Sequence, residues 1–293
     1  MNKVNKKLNI FNDNIGFVEQ YDFSTANMSE ENRILAVSLV ASICYQNPKA
    51  VGSESLYNRL MAESIGLPSS SFEMVPVLIS AKQMRRVASI VNKEDYIKHD
   101  FELNIAKFGQ MVEYDKFMLT NLRALIADVG DRAKEFYNTA EECEIIKQHF
   151  KVFKYKVDLP TRSQMVRHRV SWQELSRRYV SGKRVPNEFY LNSDMDNIEF
   201  NYKYKYKDHR VDLVITPDEL LSMSNCLYLE ALDKKVKPQS ARRIIPQAAY
   251  TQIWGAFQPK QLDNYFKLRL DEHSQWEIRQ TALAMQELIQ GDK

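Results

Sequence analysis

At 293 residues and 34.3 kDa, the chain is long enough for one large domain or two modest ones. A net charge of +3 excludes a global field that would demand nucleic acid, and 44% hydrophobic content suffices for a substantial core. Three scattered cysteines (Cys44, Cys143, Cys226) and five scattered histidines argue against a disulfide framework or a metal site. The N-terminus has no signal-peptide pattern. No apolar run approaches the ~18 residues that span a bilayer, so a cytoplasmic protein without membrane contact is expected.

Residues 1–25 are polar, with scattered aromatics and no clear period. Glu30 to Tyr45 reads as a helix stopped by Asn47-Pro48, and Ser53 to Ile65 as a second, capped by Ser53 and ended by Gly66-Leu67-Pro68. Phe72 to Ile79 is a strand candidate in which Pro76 marks an edge or a bulge. Residues 79–149 read as mostly helical, with Phe117-Met118-Leu119, Leu122, Leu125 and Ile126 at helical spacing. Lys151 to Asp158 alternates, with Phe153, Tyr155 and Val157 opposite Lys154 and Lys156, as a half-exposed strand does. It feeds a helix over 161–169, on which Gln164, Arg167 and His168 share a face. Tyr202, Tyr204 and Tyr206 alternate with lysine. Stacking on nucleic acid is one reading of that run, and a lysine-guarded edge strand is the preferred one. Pro217 to Leu232 reads as a helix, as does Ser274 to Ile289, with Trp276, Leu283 and Leu288 as core candidates.

Between Arg162 and Tyr179 lie five arginines, no lysine and a single acid, Glu174. Arginine presents a planar fork of donors that matches two phosphate oxygens at once. Beside Ser176 and Glu174, these arginines suit either a pocket for a phosphorylated ligand or a basic surface stripe.

Arg167-His168-Arg169, followed by Glu174-Leu175-Ser176 and Arg178-Tyr179, resembles the signature of the flavin-dependent thymidylate synthases. A second block (Ala241-Arg242, Pro246, Tyr250-Thr251, Leu268-Arg269 and Gln275 to Arg279) follows the order and spacing of that family's C-terminal half. The resemblance spans roughly residues 150–190 and 240–285. It implies an α/β (α+β) fold: one domain over residues 1–293, a central twisted mixed or antiparallel sheet flanked by helices, and a helical insertion at about 79–149. It implies FAD as cofactor, with NADPH and methylenetetrahydrofolate as co-substrates, methylation of dUMP to dTMP, and a homotetramer with active sites between subunits.

Carried over residue by residue, the resemblance assigns flavin contacts to Arg167, His168, Arg169, Glu174, Gln258, Lys260, Asn264 and Ser70. It assigns nucleotide contacts to Gln164, Arg167, Glu174, Ser176, Arg178, Arg242 and Arg269. Arg269 is the catalytic candidate, placed to favour ionisation of the uracil ring; the competing reading pairs it with Asp271 or Glu272. Three departures stand out. Six residues separate Arg169 from Ser176 where the family has seven. Pro68 stands where the family's N-terminal motif has a histidine, although Ser70 and Glu73 keep that motif's hydroxyl and carboxylate. Residues 79–149 replace a short connection. These departures keep open a relative that transfers a hydroxymethyl group, or one that binds nucleotide or nucleic acid without turnover.

Overall fold

The alternation at Lys151–Asp158 does form a strand, but at the centre of a sheet and not half in water. The computed structural model describes residues 2–62, 68–91, 103–196 and 198–291. Its strands are β1 (Asn2–Asn9), β2 (Phe17–Asp22), β3 (Pro76–Ser80), β4 (Gln110–Val112), β5 (Phe117–Asn121), β6 (Lys151–Asp158), β7 (Ser171–Glu174), β8 (Phe200–Tyr206), β9 (His209–Ile215) and β10 (Tyr250–Phe257). The helices are α1 (Glu30–Tyr45), α2 (Glu54–Ala62), α3 (Ala81–Ile90), α4 (Asn104–Lys107), α5 (Leu122–Val129), α6 (Ala140–His149), α7 (Leu159–Met165), α8 (Pro217–Asp233), α9 (Pro238–Ala241), α10 (Pro259–Arg269) and α11 (Trp276–Gln290).

The main sheet has the order β1-β2-β6-β10-β7. Every pairing among the described residues is antiparallel, which makes the fold an α+β arrangement with no parallel component. Successive side chains of a strand point to opposite faces. Val152, Trp254 and Ala256 therefore enter one core with α1 and β3, while Phe153, Tyr155, Val157, Ile253 and Phe257 enter a second with α11. The lysines of β6 survive there by partial exposure and pairing. Lys156 Nζ lies 2.5 Å from Glu188 Oε2 and near the Tyr250 ring, and Lys154 near the Phe17 ring.

Several expectations need correction. The strand at 72–79 starts at Pro76, after a 3-10 turn over Ser70–Met74; as an edge strand's first residue, the proline forfeits no ladder bond. Phe117 to Leu119 lies in β5, not in a helix, because the apolar run pairs with β3 and β4. The helix begins only at Leu122, where the Asn121 side chain accepts from Ala124 N–H. On α11 the buried face is Ile278, Ala282, Met285 and Leu288, at helical spacing, whereas Trp276 and Leu283 are about 40% exposed. The Tyr-Lys run pairs with β9 alone, and its residues 201–205 are exposed, so those five residues contribute no buried face. Residues 63–67, which include the expected end of the second helix, lie outside the described residues, as do residues 92–102 of the proposed insertion.

Gly255 decides how β7 lies against β10. It pairs with Trp172, and a Cβ at Gly255 would come within 2.4 Å of the indole. The indole instead lies across the glycine, edge-on to Phe257 at 5.6 Å, and donates from Nε1 to His168 O at 3.1 Å. Gly255→Ala should therefore overpack the sheet and cost about 1–3 kcal/mol, read as a lower denaturant midpoint. An unchanged midpoint would show that the indole can move aside freely.

Candidate functional site

Helix α7 stops at Met165, so Arg167 and His168 do not continue it as expected. The chain turns instead: His168 N–H donates to Met165 O at 3.1 Å, and Val170 N–H reaches back to His168 O at 3.0 Å. This tight turn leaves Arg167 and Arg169 exposed and buries His168, which is 6% exposed. The helix gives way because a tertiary partner captures His168. Arg269 Nε donates to His168 Nε2 at 2.8 Å, and Arg269 Nη2 donates to Gln164 O at 3.2 Å. The imidazole also lies 4.7 Å from the buried ring of Tyr265, whose hydroxyl meets Thr281 Oγ1 at 3.1 Å.

Among the described residues Arg269 forms no ion pair with Asp271 or Glu272, the partners of the competing reading. Asp271 is engaged by His273, through its backbone N–H at 2.8 Å and its ring Nδ1 at 3.0 Å. Arg269 instead stands at the head of a polar chain. The Gln164 side chain donates to Gln275, whose Nε2 donates to Glu277 Oε2 at 2.8 Å, and Asn192 Nδ2 donates to Glu277 Oε1 at 2.9 Å. Glu277 is 4% exposed. The sequence reading missed Tyr265, Glu277 and Asn192. Glu277 sat inside the matched block without a role, and Asn192 carried no signal.

Burial, then the neighbouring Arg269 charge, pulls the His168 pKa down to about 4, so the ring is neutral near pH 7. Its Nε2 accepts, which puts the proton on Nδ1. The unfolded chain takes up this proton near the ordinary value of 6.5, before the folded chain does. The stability this group contributes is complete above pH 6.5 and is lost as pH falls from 6.5 toward 4. His168→Gln, which keeps an acceptor but cannot titrate, should flatten the fall of the urea midpoint across that window. Superimposable profiles for the two proteins would contradict the neutral assignment.

Arg167, His168, Arg169, Lys260, Asn264 and Arg269 line one cavity of about 350 Å³. No carboxylate lines it, and among the described residues the Arg167, Arg169 and Lys260 side chains have no hydrogen-bond or ion-pair partner. Gln258 lines an adjoining larger cleft that shares Arg169 and Lys260. Unpaired cations around an acid-free hollow suit an anionic ligand.

The remaining candidates gather elsewhere. β7 separates the two groups: Ser171 pairs with Ala256 at one end, near Gln258, and Glu174 pairs with Ile253 at the other. Three strand rises of ~3.3 Å set those ends about 10 Å apart. Ser176 and Arg178 follow the far end, and Arg242 precedes β10 on that side. Arg178 and Arg242 are exposed. Glu174 is held by Arg162, with Nε to Oε2 at 2.5 Å and a second contact through Nη2. Ser70 Oγ donates to Gln173 Oε1 at 2.6 Å, against β7. The Pro68 carbonyl accepts from Arg123 Nε at 2.8 Å, while Arg123 Nη1 donates to Glu73 Oε1 at 2.6 Å, so the segment that lacks the histidine is clamped at both ends. Among the described residues no cluster of metal-ligating side chains occurs, and no helix is long and apolar enough to cross a membrane.

The fold is α+β, with a cationic, acid-free cavity beside the turn that leads into its edge strand β7. The sequence profile of the thymidylate synthase complementing protein family matches residues 116–291. The flavin-dependent thymidylate synthase of Pseudothermotoga lettingae is 31% identical over 175 residues, covering 58% of this chain and 75% of that protein. The corresponding synthase of Thermosipho melanesiensis is 31% identical over 54% of this chain and 71% of its own length, and that of Aquifex aeolicus 32% over 63% and 60%. The chain belongs to the flavin-dependent thymidylate synthase family and is an enzyme of that type.

Proposed function

We propose that this protein methylates dUMP to dTMP, with FAD as cofactor, methylenetetrahydrofolate as one-carbon donor and NADPH as reductant. The observation that carries the reading is the convergence of Arg167, Arg169, Lys260 and Arg269 on one acid-free cavity around a neutral His168. Those donors fit a cofactor with a diphosphate; Asn264 and Gln258 supply further polar contacts from the same side, and Ser70 and Glu174, which lie beyond β7, would reach it from a second copy. When bound, the flavin supplies the reducing equivalents that turn a transferred one-carbon unit into a methyl group. Arg269 stays cationic, although burial and Arg167 lower its pKa, and it stabilises negative charge on the uracil ring without titrating.

Gln164, Ser176, Arg178 and Arg242 complete the nucleotide site, with Glu174 beside them. Because β7 holds Arg178 and Arg242 away from Arg269 in one copy, the site is completed by a second copy, and we read the assembly as a homotetramer. We place the protein in the cytoplasm. Residues 79–149 we read as an insertion into a single domain, of which 79–115 stand clear of the family match. Transfer of a hydroxymethyl group is the second reading, favoured by Pro68 at the histidine position, where Arg123 fixes its carbonyl.

Calorimetry with dUMP and with deoxyuridine tests the nucleotide assignment. A charged hydrogen bond to phosphate is worth roughly 1.5–3 kcal/mol, so the nucleoside should bind at least tenfold more weakly. Equal affinities would end the assignment. Mass analysis of the product separates methyl from hydroxymethyl transfer. Removing the exposed tyrosines of β8 should leave dUMP affinity unchanged.

A further inference from the structure

The cavity lined by Arg269 borders a larger one. This second cavity, of about 910 Å³, shares Arg169, Val170, Lys260 and Gln261 with it, so the two adjoin across a cationic waist. One wall of the larger cavity includes Lys107, Phe108, Gln110 and Met111, from α4, β4 and the bend between them. These residues lie upstream of position 116, outside the family match.

The wall is fixed to the waist. Gln258 Nε2 donates to Phe108 O at 2.8 Å, and the backbone N–H of Lys260 donates to Gln110 Oε1 at 2.9 Å. Gly109 permits the bend, because a Cβ there would lie 2.3 Å from Ile105 O. Lys107 Nζ sits 5.5 Å from the Phe108 ring centre, and both side chains are exposed. The charge balance of the larger cavity is positive. Arg123 is matched by Glu73 at 2.6 Å, which leaves Lys107, Arg169 and Lys260 against Asp115. Two hollows that adjoin across a cationic waist suit a ligand made of two ring systems joined by a diphosphate.

We propose that this wall holds the adenosine diphosphate half of FAD, with Lys107 and the waist cations on the diphosphate and Phe108 against the adenine. The inference rests on the cofactor reading above and extends it to residues the family match does not contain. It predicts discrimination between FAD and FMN, which lacks the adenylate.

The test is titration of flavin-free protein with FAD, FMN and NADPH separately, by quenching of flavin or protein fluorescence. Lys107→Ala and Phe108→Ala are the variants, each checked by thermal melting; both positions are exposed, so the fold should persist. FAD affinity should fall about tenfold or more in Lys107→Ala while FMN affinity stays as in the parent protein. Unchanged FAD affinity in both variants would overturn the proposal. So would an equal loss for FMN, which would put the redox ring at this wall, or a loss confined to NADPH. If the parent protein bound neither flavin, the cofactor reading itself would fall, and this one with it.

Discussion

Replacing Arg269 with alanine should nearly abolish product formation. The side chain spends Nε on His168 and Nη2 on the Gln164 carbonyl. Its Nη1 has no partner among the described residues, while the residue lines the cavity. That leaves one amino group of a fixed cation for charge that develops on a bound ring, the kind of contact that acts mainly in the transition state. Arg269→Lys keeps the charge but not the fork, so it should retain partial activity. Flavin reduction by NADPH in the absence of nucleotide should survive better than product formation. A purely structural Arg269 would behave otherwise, giving a lower melting temperature with normal turnover per folded, flavin-loaded molecule. Measuring both quantities on Arg269→Ala decides between the two, and a destabilised but fully active variant would remove the catalytic assignment.

The second large effect is expected at Arg169, which lines both cavities and has an unpaired, exposed guanidinium. Arg169→Ala should weaken FAD binding by about 1.5–3 kcal/mol, or roughly ten- to 150-fold. Titration of flavin fluorescence reads this directly. Nucleotide affinity should fall less, since the phosphate is assigned to Arg178 and Arg242. A variant with parental FAD affinity would take Arg169 out of the cofactor site.

Local chemistry made part of the fold legible. Helix α1 runs over Glu30–Tyr45 as read, because Ser29 caps it and Gln46 ends it in a left-handed conformation before Asn47-Pro48. Helix α8 likewise starts at Pro217 as read, and the structure adds a capping box of Thr216 and Glu219. What misled was what distant segments do. The period of β6 was visible, but not that β2 and β10 would cover both its edges. No breaker lies between Thr161 and Arg169, yet the helix ends early because Arg269 holds His168 across 101 positions of sequence. The arginine cluster and the two matched blocks pointed to the residues around the cavity. The wall from Lys107 to Met111 was invisible, since its approach to Gln258 is a contact 150 positions apart that leaves no periodic trace.

The tight turn at His168–Val170 also decides how far a change of length ahead of β7 would be felt. Along a strand, removing one position exchanges inner for outer at every later residue. The segment ahead of β7 instead closes on itself before the ladder begins, with Val170 N–H returning to His168 O at 3.0 Å. Ser171 to Glu174 then pair residue for residue with Ala256 to Ile253. The parity of β7 is thus protected from the length of the segment ahead of it. Inserting a residue beside Val170 should leave Glu174 on its present face, whereas the same insertion between Trp172 and Gln173 would turn Glu174 over and break its pairing with Arg162.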